Sequence, residues 1–190
     1  MTIPFRAAFC LLFAASFGAA CMPNPQSVKE RRVNFDRDGL RGRLLLDKAP
    51  PDMKRVDSVF GEAARLMGYT LDPAAPGRGS TVTVTYYWSA LKPIAEDYMV
   101  FVHGDAIGGK GSRIHRDHYP ARGLYPTDVW QVGEVVMDRF SVSIPPGYGA
   151  PALGLYTGLY KGNYRVPLTE AGRAPGSSDN RSMAVRIQFN

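Results

Sequence analysis

The chain is poor in the residues that usually carry chemistry. It has two cysteines and three histidines in 190 residues. Both cysteines, Cys10 and Cys21, precede residue 22, so no disulfide can link two later parts of the chain. The sequence also contains no Gly-x-Ser-x-Gly elbow, no phosphate-binding P-loop and no dinucleotide fingerprint. We therefore expect neither an enzyme nor a bound cofactor, and the sequence predicts a location better than a reaction.

The first 20 residues have the three regions of a secretory signal peptide. Arg6 supplies a positive charge, residues 7–20 are uncharged and mainly apolar, and Gly18-Ala19-Ala20 provides small residues at the end. The apolar stretch is too short to span a bilayer, which requires about 20 residues. We predict that residues 1–20 are a signal peptide.

Cys21 follows the small residues directly, and this arrangement resembles a bacterial lipobox. The resemblance implies that the leader is removed and that Cys21 becomes a first residue carrying a diacylglycerol. Two acyl chains hold a protein stably on a membrane, whereas one holds it marginally. The alternative is that Cys21 is an ordinary residue after a normal cleavage site, which would leave a lone thiol in an oxidising compartment.

The residue after Cys21 indicates which membrane carries the protein. In enterobacterial-type lipoproteins an Asp at this position retains the protein at the inner membrane, and here the residue is Met22. The resemblance thus favours the outer membrane, facing the periplasm. The net charge of +6 includes Arg6 of the leader, and the other basic residues are dispersed along the chain. This distribution excludes a nucleic-acid-binding footprint.

Residues 22–43 are polar, charged and without apolar periodicity, which predicts a flexible tether. We expect a lipidated amino terminus and tether over residues 21–55 and one folded domain over residues 56–190. Within that domain, alternation of apolar and polar residues predicts strands and no long helix. Val82, Val84, Tyr86 and Trp88 form the clearest example, with threonines and Tyr87 on the opposite face. About seven to nine short strands predict an all-β, antiparallel β-sandwich.

From Gly68 onward, the pattern resembles a family of bacterial immunoglobulin-like β-sandwich domains. These domains occur at the ends of glycosyltransferase-like membrane proteins and in exported proteins of unknown function. The resemblance implies an immunoglobulin-like accessory module on the far side of a membrane, with no known activity. It is carried by Gly68-Tyr69-x-Leu71-Asp72, Tyr86-x-Trp88, Tyr98-x-Val-Phe-Val-His103, Asp117-His118-x-Pro120, Gly123-x-Tyr-Pro-Thr127, Trp130-x-x-Gly-Glu-Val-Val136, Asp138-Arg139 and Gly158-Leu159-Tyr160.

The three histidines, His103, His115 and His118, fall within sixteen positions and have Asp117 among them. Imidazole and carboxylate groups suit zinc or a similar ion. The spacing His-Arg-Asp-His matches no standard metal motif, however, and His115 and His118 have opposite strand parity. We therefore predict no metal site and expect these residues to stabilise the fold through hydrogen bonds. A strand return that places His115 beside His103 remains the alternative.

The better candidate for binding is the loop from Tyr119 to Glu134. We predict a ligand-binding surface built from Tyr119, Arg122, Tyr125 and Trp130, since aromatic rings stack on sugars and anchor protein interfaces. The alternative is that Tyr125 and Trp130 fill one end of the sandwich. The Asp128 and Glu134 carboxylates are a weak candidate pair for glycoside hydrolysis.

These observations predict a lipid-anchored, non-enzymatic binding module for a glycan or a protein of the envelope. One alternative is a structural component that docks on a membrane complex. A weaker alternative is a metal-dependent hydrolase.

Overall fold

A computed structural model describes residues 26–169 and 179–189, and these residues form an antiparallel β-sandwich. The prediction of an all-β sandwich is confirmed. The predicted signal peptide and Cys21 lie outside the described residues. The strands are arranged in two sheets of five strands each.

The described residues contain one α-helix, three short 3₁₀ helices and ten strands. The α-helix α1 is Val28–Asn34, and the 3₁₀ helices are Asp38–Leu40, Pro120–Gly123 and Thr127–Val129. The strands are β1 Leu45–Leu46, β2 Lys54–Phe60, β3 Ala64–Asp72, β4 Thr81–Ala90, β5 Met99–Ile107, β6 Ile114–His115, β7 Val135–Ser143, β8 Ala152–Lys161, β9 Tyr164–Arg165 and β10 Ser182–Gln188. One sheet has the strand order β1-β7-β4-β3-β2, and the other has the order β10-β8-β5-β6, with β9 paired to β8.

Seven of the described strands have seven or more residues, and six of these, β3, β4, β5, β7, β8 and β10, match in order strands A, B, C, E, F and G of the immunoglobulin fold. In that fold A, B and E lie in one sheet and C, F and G in the other. Here β3, β4 and β7 are neighbours in one sheet, and β5, β8 and β10 are neighbours in the other. The place of strand D, beside E, is taken by β1 from the amino-terminal segment, where Leu45 pairs with Val136.

Strand β4 shows why the alternating pattern produces a core. Val82, Val84, Tyr86 and Trp88 have no exposed surface, because they point from one sheet towards the other. From the facing sheet, Leu153, Leu155 and Leu159 on β8 complete the same cluster. Each fully buried aliphatic side chain of this kind stabilises the fold by about 1.5–3 kcal/mol.

The amino-terminal segment differs from the predicted tether. From Ser27 onward it is ordered: Ser27 Oγ accepts the Glu30 amide hydrogen at 3.2 Å, and a Glu30 carboxylate oxygen accepts the Ser27 amide hydrogen at 2.8 Å. This reciprocal capping box starts α1, and Arg31 then forms a 2.9 Å ion pair with Asp128 of the sandwich. The composition misled the prediction because this segment packs mainly through polar contacts rather than through an apolar stripe.

Candidate functional site

The predicted binding loop lies at the end of the sandwich where β4 ends and β5 begins. We call this the helix end: it comprises α1 and residues 61–63, 91–98, 119–134 and 162–164. Arg32 of α1 donates a hydrogen bond to the Ile94 carbonyl there at 2.6 Å. The amide hydrogen of Tyr98, just before β5, is donated to the Thr127 hydroxyl at 2.7 Å.

Two of the four predicted ligand contacts are buried within this loop. Tyr125 and Trp130 have no exposed surface, and the Trp130 indole donates a hydrogen bond to the Tyr125 carbonyl at 2.9 Å. Trp130 also packs near Trp88 of the core, with ring centroids 6.5 Å apart. Neither ring can stack on a ligand in this arrangement. The packing matches the alternative in which both rings fill the end of the sandwich.

The other two predicted contacts, Tyr119 and Arg122, are at the surface. Tyr119 is 49 % exposed, and Arg122 is exposed with a left-handed backbone angle φ of 58°. Tyr119 precedes the turn Pro120–Gly123, and Arg122 lies within it. In this turn the buried Ala121 amide donates to the Asp138 carboxylate at 3.0 Å. The structure therefore separates the four predicted residues into a buried pair and an exposed pair.

The two loop carboxylates weighed for glycoside hydrolysis are both engaged by arginines. Asp128 is almost completely buried and pairs with Arg31. Glu134 lies 3.5 Å from the Arg37 guanidinium and also accepts the Tyr125 hydroxyl hydrogen. Each carboxylate thus holds the amino-terminal segment to the loop. A general acid for glycoside hydrolysis would instead have to be a protonated carboxyl group in a substrate cleft.

Arg37 is the centre of this attachment, and only 7 % of it is exposed. Its guanidinium donates to the Tyr125 hydroxyl at 3.0 Å and to the Val129 carbonyl at 2.6 Å. It also donates to the carbonyls of Arg32 and Phe35 within its own segment. Burial and the hydrogen bond to Glu134 raise the pKa of Tyr125, so this phenol stays protonated and donates. The network binds residues 31–37 to the sandwich.

His118 is separate from the other two histidines. One ring nitrogen lies 2.9 Å from the fully buried Asp138 carboxylate, and the other lies 2.6 Å from the Arg116 carbonyl. Burial opposes a charge on the ring, but the hydrogen bond and charge of Asp138 outweigh it and raise the pKa of His118. This matches the predicted role of a hydrogen-bonded structural histidine.

His103 and His115, in contrast, lie side by side. They are directly opposite each other in the antiparallel pair β5–β6, with ring centroids 4.8 Å apart. A carboxylate oxygen of Asp117 lies 3.6 Å from His103 Nε2. One potential ligand atom from each of the three residues falls within 4.8 Å of the others. Two members of the cluster, His103 and Asp117, line a surface cleft of about 270 Å³, together with Phe101, Tyr160, Gly162, Asn163 and Arg165.

Electrostatics keep the His103 ring neutral. Burial is the largest influence and lowers the pKa of His103; Asp117 raises it, while His115, Arg113 and Arg165 lower it further. Burial also raises the pKa of the Tyr160 phenol, and the adjacent Asp117 carboxylate adds to that rise. The cluster therefore offers a neutral imidazole beside a carboxylate at the mouth of a cleft.

Tyr160, Asn163 and Arg165 were not predicted as site residues. They lie on β8, on the following turn and on β9, about 45 positions beyond His115 and Asp117. Tyr160 alternates with core-facing Leu159, so its outward direction could be read from the sequence. That it points into the same cleft depends on the pairing of β8 with β5.

No protein-family model matches the chain, and no curated protein matches it. Membership of the immunoglobulin-like family therefore stays a prediction from the sequence motifs. Across residues 26–169 and 179–189, the structure has no helix that is both long enough and apolar enough to cross a bilayer.

Proposed function

We propose that this chain is an exported lipoprotein, anchored to the outer membrane through Cys21, whose β-sandwich binds an envelope protein without catalysing a reaction. The observation that carries the proposal is the cysteine directly after Gly18-Ala19-Ala20, at the end of an apolar leader. The immunoglobulin-like order of the strands supports a binding module, since this fold presents surfaces at its edges and ends.

The short distance from Cys21 to α1 supports a position next to the membrane. Cys21 and Ser27 are six positions apart, and each position extends a chain by at most about 3.3–3.6 Å. A lipid on Cys21 would hold the amino end of α1 within about 20 Å of the headgroups. Because Arg31 and Arg37 bind α1 and the following residues to the sandwich, the helix end would lie near the bilayer.

The side chains exposed at the helix end suit a protein partner. The large apolar residues that are most exposed on the described surface all belong to this end: Val33, Tyr119, Leu124, Val132 and Tyr164. Aromatic and aliphatic side chains of this kind anchor protein interfaces, whereas charged residues predominate at their rims. Lys29 on the exposed side of α1 adds attraction to anionic headgroups, about 1 kcal/mol for a basic residue close to the surface.

The positions of the loop residues also bear on the three alternative functions: glycan binding, a structural role and hydrolysis. Glycan binding by the loop loses the Tyr125 and Trp130 rings to the core, which leaves Tyr119 and Arg122. A purely structural role, in which the sandwich docks permanently on a membrane complex, uses the same apolar end and differs in the lifetime of the contact. Glycoside hydrolysis by the loop would require a general acid, and the ion pairs of Asp128 and Glu134 with arginines do not favour one.

Intact mass of the membrane-extracted protein tests the anchor. We expect the mass of residues 21–190 plus a diacylglyceryl group, and a Cys21→Ser variant should lose the added mass and wash from vesicles. Retention of residues 1–20, or a mature mass without lipid, would refute the anchor.

Site-specific cross-linking tests the partner. If the leader is removed and Cys21 is lipidated, the mature chain has no free thiol, so an introduced cysteine is unique. Val132→Cys, at the helix end, should cross-link to one envelope protein in intact cells. Lys110→Cys, in the turn at the opposite end, is the matched control and should not. Equal labelling patterns at the two positions would contradict binding through the helix end.

A further inference from the structure

We propose that His103, His115 and Asp117 form a binding site for a divalent transition-metal ion of the Zn²⁺ type. Such a site is absent from the function proposed above and does not depend on the lipid anchor. Two imidazoles and one carboxylate are the ligand set that Zn²⁺, Co²⁺ and Ni²⁺ accept, whereas Mg²⁺ and Ca²⁺ require oxygen ligands throughout.

Strand register assembles the three ligands. His103 and His115 are direct partners in β5–β6, so their side chains emerge on the same face of the sheet. Asp117 lies two residues beyond His115, which returns its side chain to that face. This face is the outer one, because the neighbouring Val100 and Val102 point into the core. The cluster is not evident from the spacing of the three residues in the sequence, because it depends on the pairing of β5 with β6 across the turn that joins them.

The separations are close to those that a metal requires. Zn–N and Zn–O bonds of about 2.0–2.1 Å in a tetrahedron place neighbouring ligand atoms about 3.3–3.4 Å apart. His103 Nε2 and the nearest Asp117 oxygen are 3.6 Å apart, and no pair in the cluster exceeds 4.8 Å. His115 is exposed, so rotation of its ring can close the largest gap without moving the core.

The surrounding groups orient the ligands. The Val102 amide donates to a carboxylate oxygen of Asp117 at 3.1 Å, and the Tyr160 phenol lies beside the same carboxylate. The His103 ring packs 5.2 Å from the Phe101 ring, centroid to centroid, and its side chain is 12 % exposed. Outer contacts of this kind fix the orientation of metal ligands and raise metal affinity.

Two arginines near His103 oppose a bound cation, but each is already engaged. Arg113 forms an ion pair with Asp105, and the Arg165 guanidinium lies 4.9 Å from the centroid of the Phe101 ring. Because the protein supplies three ligands, a fourth position would face the cleft and be filled by water or a small anion.

Metal titration of the purified, chelator-treated protein tests this site. Zn²⁺ titration by calorimetry should give one ion per chain, and Co²⁺ should give the visible absorption bands of a four-coordinate ion. His115→Ala and Asp117→Asn should each weaken binding by at least about 100-fold, because each removes one of three ligands. Both residues are at the surface, so circular dichroism and the thermal midpoint should stay close to those of the parent.

Two control variants separate the cluster from adventitious binding. Asp52→Asn removes an exposed carboxylate elsewhere and should leave the affinity unchanged. His118→Gln removes the one histidine outside the cluster, and this variant should also bind one ion whenever it folds. The proposal is overturned if the parent binds no Zn²⁺ at millimolar concentration, or if His115→Ala and Asp117→Asn bind it as tightly as the parent.

Discussion

The Arg37→Ala substitution tests whether the amino-terminal segment is part of the folded domain. The Arg37 side chain is 7 % exposed, and Glu134, 3.5 Å away, is 15 % exposed. Removing one partner of a buried ion pair costs about 3–5 kcal/mol, because the remaining charge stays buried without its counter-charge. Glu134 keeps the Tyr125 hydroxyl and the Gln131 amide as donors, which places the expected loss at the lower limit, about 3 kcal/mol.

For a domain of this size, such a loss lowers the thermal midpoint by roughly 6–12 °C. Urea unfolding should show the same change in free energy. Limited trypsin digestion should cleave the variant faster near Arg31 and Arg32, since the Arg32 carbonyl loses its Arg37 donor and the Val129 carbonyl keeps only the longer bond from the Tyr125 hydroxyl. Arg43→Ala, in the same segment but exposed, is the matched control and should change neither measurement.

The reasoning is refuted if Arg37→Ala unfolds at the temperature of the parent and α1 remains protected from trypsin. A double-mutant cycle with Glu134→Gln adds a further measurement. The coupling free energy between the two residues should be well above zero, because they share one hydrogen-bonded network.

Three further predictions concern the sandwich itself. Because the pKa of His118 is raised in the folded protein, its stabilising contribution is fully present below the unfolded pKa of about 6.5 and is lost as pH rises through the folded pKa. In urea unfolding, the difference in stability between the parent and His118→Gln should shrink from about pH 6 to about pH 9. A difference that grows with pH would contradict the buried ion pair. Gly158→Ala should lower stability by about 1–3 kcal/mol in thermal unfolding, because the added carbon would lie 2.6 Å from the Phe101 ring, whereas Gly147→Ala meets nothing within 4 Å and should be nearly neutral. Val84→Asp should prevent folding, since Val84 is fully buried, and soluble protein with the parent's thermal midpoint would invalidate the assigned strand face.

The strands were predictable because each carries its own evidence. In β4 the alternation of Val82, Val84, Tyr86 and Trp88 with other residues matches the period of a pleated strand, and these four side chains have no exposed surface. Strand β3 gives a second example, since Met67, Tyr69 and Leu71 alternate along it with Gly68 and Thr70. In these strands, the local sequence pattern and the tertiary packing both call for an apolar residue at the same positions.

The amino-terminal segment and the aromatic loop were less predictable. The Ser27-x-x-Glu30 capping signal was present in the sequence, but the polar composition of residues 22–43 favoured the prediction of a flexible tether. Whether Arg37 is solvated or buried depends on Tyr125, Val129 and Glu134, which lie about 90 positions away. No local pattern contains that information.

The sequence by itself determined the class of fold and the direction in which most strand residues point, because periodicity is a local property of the chain. Leader signals are local as well, and the anchor at Cys21 stays a prediction from them. Only the tertiary structure decided which aromatic residues of the loop are buried, and which histidines come together. His103 pairs with His115 because β5 and β6 align in one register, while the nearby His118 turns to Asp138. Residues of the same type therefore acquire different roles from the contacts that distant strands make.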